Sequence, residues 1–172
     1  MDLKVITDKS LAESIFLKGS TTNDRNAINY TLKEFNQSWN RWMKFFVLWD
    51  NENVVGFSGI RNFGEYARIL DRYFIMPEYR AKGIGDNQYN QIFVPTLVNN
   101  CHDKVPFFSV ERSTRRRSIQ KAIDSCNEVL PLNHHFHLLD EMYETAPRSW
   151  QNIAIRTDHN TLDLKFTANV AI

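Results

Sequence analysis

The stretch Tyr73-Phe74-Ile75-Met76-Pro77-Glu78-Tyr79-Arg80-Ala81-Lys82-Gly83-Ile84-Gly85 constrains this chain more than any other. Its apolar, aromatic beginning predicts the end of a buried strand. Pro77 stops that strand because proline has no N–H to give to a ladder. Basic residues and two glycines follow, and then Ile92, Phe93, Leu97 and Val98 recur with the spacing of a helix over roughly 86–98. A helix start presents unpaired amide N–H groups and the positive end of a dipole. Gly83 and Gly85 omit the Cβ that would hold a ligand off, and they tolerate positive φ. With the charge of Arg80 and Lys82 added, such a corner suits a diphosphate.

Two other phosphate loops fit less well. No Lys-Ser or Lys-Thr follows the glycines, as a P-loop requires. Gln88 stands three residues after Gly85, where a dinucleotide-binding fold would place its third glycine. The arrangement Arg80-x-x-Gly83-x-Gly85, led by Pro77-Glu78-Tyr79, instead resembles the signature of the GNAT (GCN5-related N-acetyltransferase) superfamily. That signature is Gln or Arg, two residues, Gly, one residue, then Gly or Ala. The resemblance extends over roughly residues 44–125, because the order of elements around the loop also agrees.

The rest of the chain reads as one domain of 172 residues without repeats or linkers. Leu3 to Ile6 predicts a strand. Ser10 with Glu13 predicts the capped start of a helix over roughly 11–18, closed by Gly19. Asn23 and Asp24 suggest the cap of a second helix bearing Ile28, Leu32, Phe35 and Trp39. Lys44–Trp49 and Val54–Ile60 flank a short polar turn and predict a β-hairpin, with a third strand from Ala67 to Ile75. Pro95 predicts a kink or early end in the helix after the glycines. Pro106–Glu111 predicts another strand, and Ser113 or Thr114 caps a basic helix through Ile123. His135–Glu144 and Gln151–Arg156 predict a closing strand pair. This order gives a mixed α/β chain.

The resemblance implies an α/β (α+β) acyltransferase fold: a mixed, mostly antiparallel sheet with a splayed central strand pair, flanked by helices. It implies an N-acetyltransferase that uses acetyl-CoA as co-substrate, with no metal, and moves the acetyl group to an amine by direct attack. Phe74 and Ile75 would meet pantetheine through their backbone, and Arg80, Ala81, Lys82, Gly83, Ile84 and Gly85 would hold the pyrophosphate. Phe107–Glu111 would form the far wall of the gap. Asp71 and Glu111 are the candidate bases. An ion pair with Arg68 or Arg72 is the other reading of Asp71, and an exposed strand end that of Glu111.

Family members carry an Asn near the start of the next helix and a Tyr two turns later as general acid, often before Gly-Phe. Thr114 to Cys126 has none of these, which leaves Tyr143, Cys126 or solvent for that role. A CoA-binding or interaction module without turnover is therefore the alternative, and a basic helix docking an acidic partner is a third.

The formal charge of +1 argues against a global pull toward nucleic acid or membrane. Arg115-Arg116-Arg117 with Lys121 reads first as a solvated helix flank. His134-His135-x-His137 lacks a carboxylate or cysteine at a metal-ligand spacing and reads as the start of a strand. Trp39, Trp42, Phe45, Phe46 and Trp49 read mainly as core, with Trp39 or Trp42 able to shape an acceptor site. Two cysteines, no signal-like start and no long apolar run lead us to expect a cytoplasmic protein. Its partner would be a small-molecule or peptide amine, and a homodimer is compatible with everything above.

Overall fold

The computed structural model describes residues 1–19, 30–80, 85–110, 116–139 and 152–162. Strand β1 (Asp2–Val5) leads to helices α1 (Lys9–Lys18) and α2 (Leu32–Arg41). Strands β2 (Trp42–Asp50), β3 (Asn53–Phe63) and β4 (Tyr66–Ile75) follow in antiparallel succession. A single turn of helix, α3 (Pro77–Arg80), precedes α4 (Asp86–Asn99), β5 (Val105–Val110) and α5 (Arg116–Glu128). A 3-10 turn at Leu132–His134 leads to β6 (Phe136–Leu138) and β7 (Asn152–Arg156). The sheet order is β1-β2-β3-β4-β5-β7-β6, and the β4–β5 pair is parallel where the others are antiparallel.

Tyr73 and Phe74 are neighbours on β4 and so face opposite sides of the sheet. Phe74 lies 4.9 Å from the Tyr30 ring, in a stack that includes Phe16, Phe35, Trp42, Phe45 and Phe57 beneath α1 and α2. Tyr73 meets Phe93 of α4 edge-on at 5.2 Å on the other side. Helix α4 is tied to α5 by Gln91, which donates to the Ser125 carbonyl, and by Ser125 Oγ, which donates to the Asn87 carbonyl. A smaller cluster of Tyr66, Phe107, Leu139, Ile153, Ile155 and Leu162 closes the β5–β7 end.

Several boundaries differ from the sequence expectations. The cap of α1 is Asp8, whose Oδ1 accepts from the amides of Ser10 and Leu11; Ser10 lies inside the helix. A carboxylate two residues earlier outcompetes the hydroxyl for those amides. Thr31 caps α2, while Asn23, Asp24 and Ile28 lie outside the described residues. Pro77 stops β4 as expected and also opens α3, where its missing N–H costs nothing. Pro95 does not end α4. The helix runs on to Asn99 because Asn100 closes it, donating its amide to Thr96 and Leu97 and its Nδ2 to Thr96. Lys44 Nζ of β2 holds Asn100 Oδ1 at 2.7 Å.

Candidate active site

Two features of this fold meet: the parting of β4 from β5, and the start of α4. The β4–β5 ladder pairs Tyr66 with Val105, Ala67 with Pro106 and Arg68 with Phe107, and there it ends. Strand β4 continues to Ile75, and β5 continues beside β7 as far as Val110. The commitment of β5 to β7 thus opens a wedge. Among the described residues no strand pairs with the wedge side of β4 beyond Arg68, so an extended ligand can enter as an added strand would.

The β4 wall is irregular. Two register shifts against β3 each give β4 one extra residue, between Phe74 and Asp71 and again between Asp71 and Arg68. They coincide with left-handed backbone at Arg72 (φ 54) and Leu70 (φ 56). Side chains other than glycine adopt that conformation at a cost, and bulges of this kind re-aim a strand. Arg68, Asp71 and Phe74 consequently share one face although they stand three apart; plain alternation would turn Asp71 away from the other two.

Asp71 is buried, and both its oxygens are engaged. Oδ2 accepts from Trp42 Nε1 at 2.8 Å, and Oδ1 lies 3.4 Å from the Arg68 guanidinium. The indole reaches it by lying over Gly59, the residue opposite Asp71 in the ladder, where any Cβ would collide with the ring. Arg72 reaches α2, with Nη2 2.6 Å from Glu34 Oε2 and Nε 3.3 Å from Ser38 Oγ. Arg61 lies over the Phe63 ring, 4.6 Å from its centroid. Burial lowers its guanidinium to about 10, against the pull of Asp71 and helped by the push of Arg41, Arg68 and Arg72.

The start of α4 is anchored from below. Tyr89 is fully buried and its hydroxyl donates to the Tyr79 carbonyl at 2.7 Å. Arg80 turns back onto β4, with Nε 2.7 Å from the Ile75 carbonyl and the guanidinium over the Phe74 ring. Both ends of the short connection between α3 and α4 are therefore pinned. Gly85 caps α4 with φ −80, so positive φ is not why a glycine stands there. The space beside it is open: among the described residues a Cβ there would meet no atom within 4 Å.

The sequence matches the acetyltransferase (GNAT) family over residues 14–119, more than half of the chain. The chain belongs to the GNAT family. Solved structures agree on the fold. An acetyltransferase from Streptococcus agalactiae is 14% identical with a TM-score of 0.56, covering 90% of this chain and 96% of its own. A ribosomal-protein-alanine N-acetyltransferase from Brucella melitensis is 13% identical at a TM-score of 0.55, covering 90% and 97%. The PaiA N-acetyltransferase from Thermoplasma acidophilum, in complex with coenzyme A, is 13% identical at 0.53, covering 91% and 99%. No curated protein matches the sequence.

Within this GNAT domain Phe74, Ile75 and Arg80 meet at the end of β4, Asp71 lies further back on the same strand among Trp42 and Arg68, and Gly85 caps α4. The Ile75 carbonyl, expected to meet pantetheine, accepts from Arg80. Ala81, Lys82, Gly83 and Ile84 lie outside the described residues, as do Glu111 and Tyr143. Cys126 is sealed in the core, and burial raises its thiol to about 12. Arg117 and Lys121 are exposed. His135 and His137 each contact a backbone carbonyl, of Leu130 and His159 respectively. No described helix is long and apolar enough to cross a membrane.

Of the two ion-pair partners weighed for Asp71, Arg68 makes the pair and Arg72 turns to Glu34 instead; sequence reasoning missed Glu34, the nearby Arg61 and the indole bond to Asp71. One signal was available: arginines at 61, 68 and 72 interrupt strands that are otherwise mostly apolar or aromatic, and Arg61 and Arg68 are buried, which is uncommon for arginine.

Proposed function

We propose that this protein transfers an acetyl group from acetyl-CoA to an amine. The observation that carries the reading is the wedge beyond Arg68 and Phe107, on the strand that leads to a helix start whose cap, Gly85, has clear space beside it among the described residues. Pantetheine would lie along β4 with the diphosphate at the amides that begin α4. The amine nitrogen attacks the thioester carbonyl, a C–N bond forms and the C–S bond breaks. CoA leaves as the thiolate and is protonated, while the nitrogen loses one proton. Asp71 is the described carboxylate nearest the apex, and two of its lone-pair positions remain after Trp42 and Arg68 are served. We assign it to receive the amine proton, directly or through water.

Support for the cofactor comes from the family and from the relative whose structure holds coenzyme A. Acetyl-CoA at a hundred times its Kd should stabilise the fold by about 2.7 kcal/mol, seen as a rise in Tm. Gly85→Trp, which fills the space beside the helix start, should abolish that rise without lowering the unliganded Tm; an unchanged rise would remove the reading. Asp71→Asn should reduce kcat about a hundredfold and leave acetyl-CoA affinity within a factor of about three. A non-catalytic CoA-binding module keeps some support from the sealed Cys126. Acetylated product in a mass spectrum would end it.

A further inference from the structure

We infer that the Ser109 hydroxyl donates a hydrogen bond to the CoA sulfur as the thioester breaks; the inference rests on the transferase reading above. Ser109 lies on β5, two residues past the last pair of the β4–β5 ladder, Arg68 with Phe107. The same two steps along the other wall reach Leu70, the first left-handed residue of β4. Ser109 therefore stands where the strands begin to part. Paired residues of a ladder share a face, so Phe107 is on the face of Arg68, and alternation returns Ser109 to it. The ring contacts of Phe107 with Phe63 and Tyr66 agree with that placement. Asp71 belongs to the same face, so a carboxylate on one wall and a hydroxyl on the other flank the start of the wedge.

The hydroxyl is unspent. Its Oγ is buried and has no hydrogen-bond partner among the described residues, although Ser109 as a whole is partly exposed. A buried hydroxyl without a partner is costly to the fold and uncommon. No bond holds its rotamer, so a turn about χ1 brings Oγ to a ligand without breaking anything.

The direction of the cofactor selects the sulfur. With the diphosphate at the start of α4, pantetheine runs back along β4, and its thioester comes last, at the narrow end of the wedge. When the C–N bond forms and the C–S bond breaks, an electron pair is left on sulfur. A hydroxyl bonds an anion more strongly than a neutral thioester, so the contact strengthens as the reaction proceeds. The nitrogen gives its proton to Asp71 or water, solvent returns one to sulfur, and Ser109 ends unchanged.

The test measures the affinity of the full chain for CoA and for desulfo-CoA, which carries hydrogen in place of the thiol, at about pH 7 and about pH 9, on either side of an ordinary thiol pKa. The wild type should prefer CoA increasingly as the thiol ionises, because a donor to the thiolate favours that form. Ser109→Ala should weaken CoA about tenfold at the higher pH, with desulfo-CoA affinity and the unliganded Tm unchanged, and Ser109→Thr should behave as the wild type. Whichever of spermidine, lysine and an alanine-initiated peptide the wild type acetylates, Ser109→Ala should lower kcat about tenfold or more at constant KM for acetyl-CoA. Equal losses for CoA and desulfo-CoA would place the hydroxyl on another part of the cofactor. Unchanged CoA affinity at both pH values would leave it idle, and a lowered unliganded Tm without a CoA-specific loss would make it structural. Each of these overturns the inference and leaves the cofactor reading standing. Failure of the wild type to bind either compound would remove the transferase reading and this inference with it.

Discussion

Any Cβ on Gly59 would run into the Trp42 indole, so the position opposite Asp71 must be glycine for the indole to donate to the carboxylate. The glycine matters here for close approach. Gly59→Ala should displace the ring, break the Trp42–Asp71 bond and destabilise the domain by about 1–3 kcal/mol. Denaturant unfolding gives that number. Tryptophan fluorescence should report the moved indole, and an unchanged spectrum with wild-type stability would show that the indole does not need this seat. The sequence displays Gly59 and Trp42 but not their meeting, because a 17-residue separation carries no information on which strand faces turn together. The same holds for Asp71. Its face depends on bulges at Leu70 and Arg72, and bulges are foreseeable chiefly when glycine marks the left-handed position.

Elements were far more legible than their faces. The hairpin of β2 and β3, the stop at Pro77 and the helix after Gly85 follow from apolar runs and turn chemistry that act within a few residues. The cap of α1 was misread, and of the kink or early end expected at Pro95 the early end does not occur, because each depends on which of several nearby groups wins an amide or carbonyl. Strand β6 shows a longer-range device of that kind. Asn127 of α5 donates Nδ2 to the Phe136 carbonyl at 3.0 Å and accepts from the Phe136 amide at 2.8 Å, holding the edge strand through one side chain. Asn127→Ala should cost about 1–3 kcal/mol, since it leaves two backbone groups beside a buried phenylalanine to find water. Hydrogen exchange should accelerate first in β6 and β7. Uniform acceleration across the sheet would mean that Asn127 supports the fold as a whole and not this edge.

At the scale of the molecule, the two thiols are enclosed on the α4–α5 side of the sheet. Burial raises Cys101 and Cys126 from 9.0 to about 12. Burial chiefly, with Asp71 adding and Arg72 opposing, raises Tyr30 from 10.0 to about 12. Folded chains therefore keep these protons to higher pH than unfolded ones. Stability should be level below pH 9 as far as these groups are concerned, and should fall from there toward pH 12. Urea midpoints between pH 8 and 10.5 measure that limb, and Cys126→Ala should make it shallower even though its cavity lowers the whole curve. An unchanged slope would mean that the thiol titrates alike in both states.

The proposed function places an extended ligand in the wedge between β4 and β5, and the most direct measurement is a crystal structure with acetyl-CoA. The account predicts pantetheine between the backbone of Ile69–Ile75 and that of Ser109, with the diphosphate at the amides where α4 begins. Acetyl-CoA bound elsewhere, or a wedge filled by the protein's own side chains with the cofactor excluded, would contradict it.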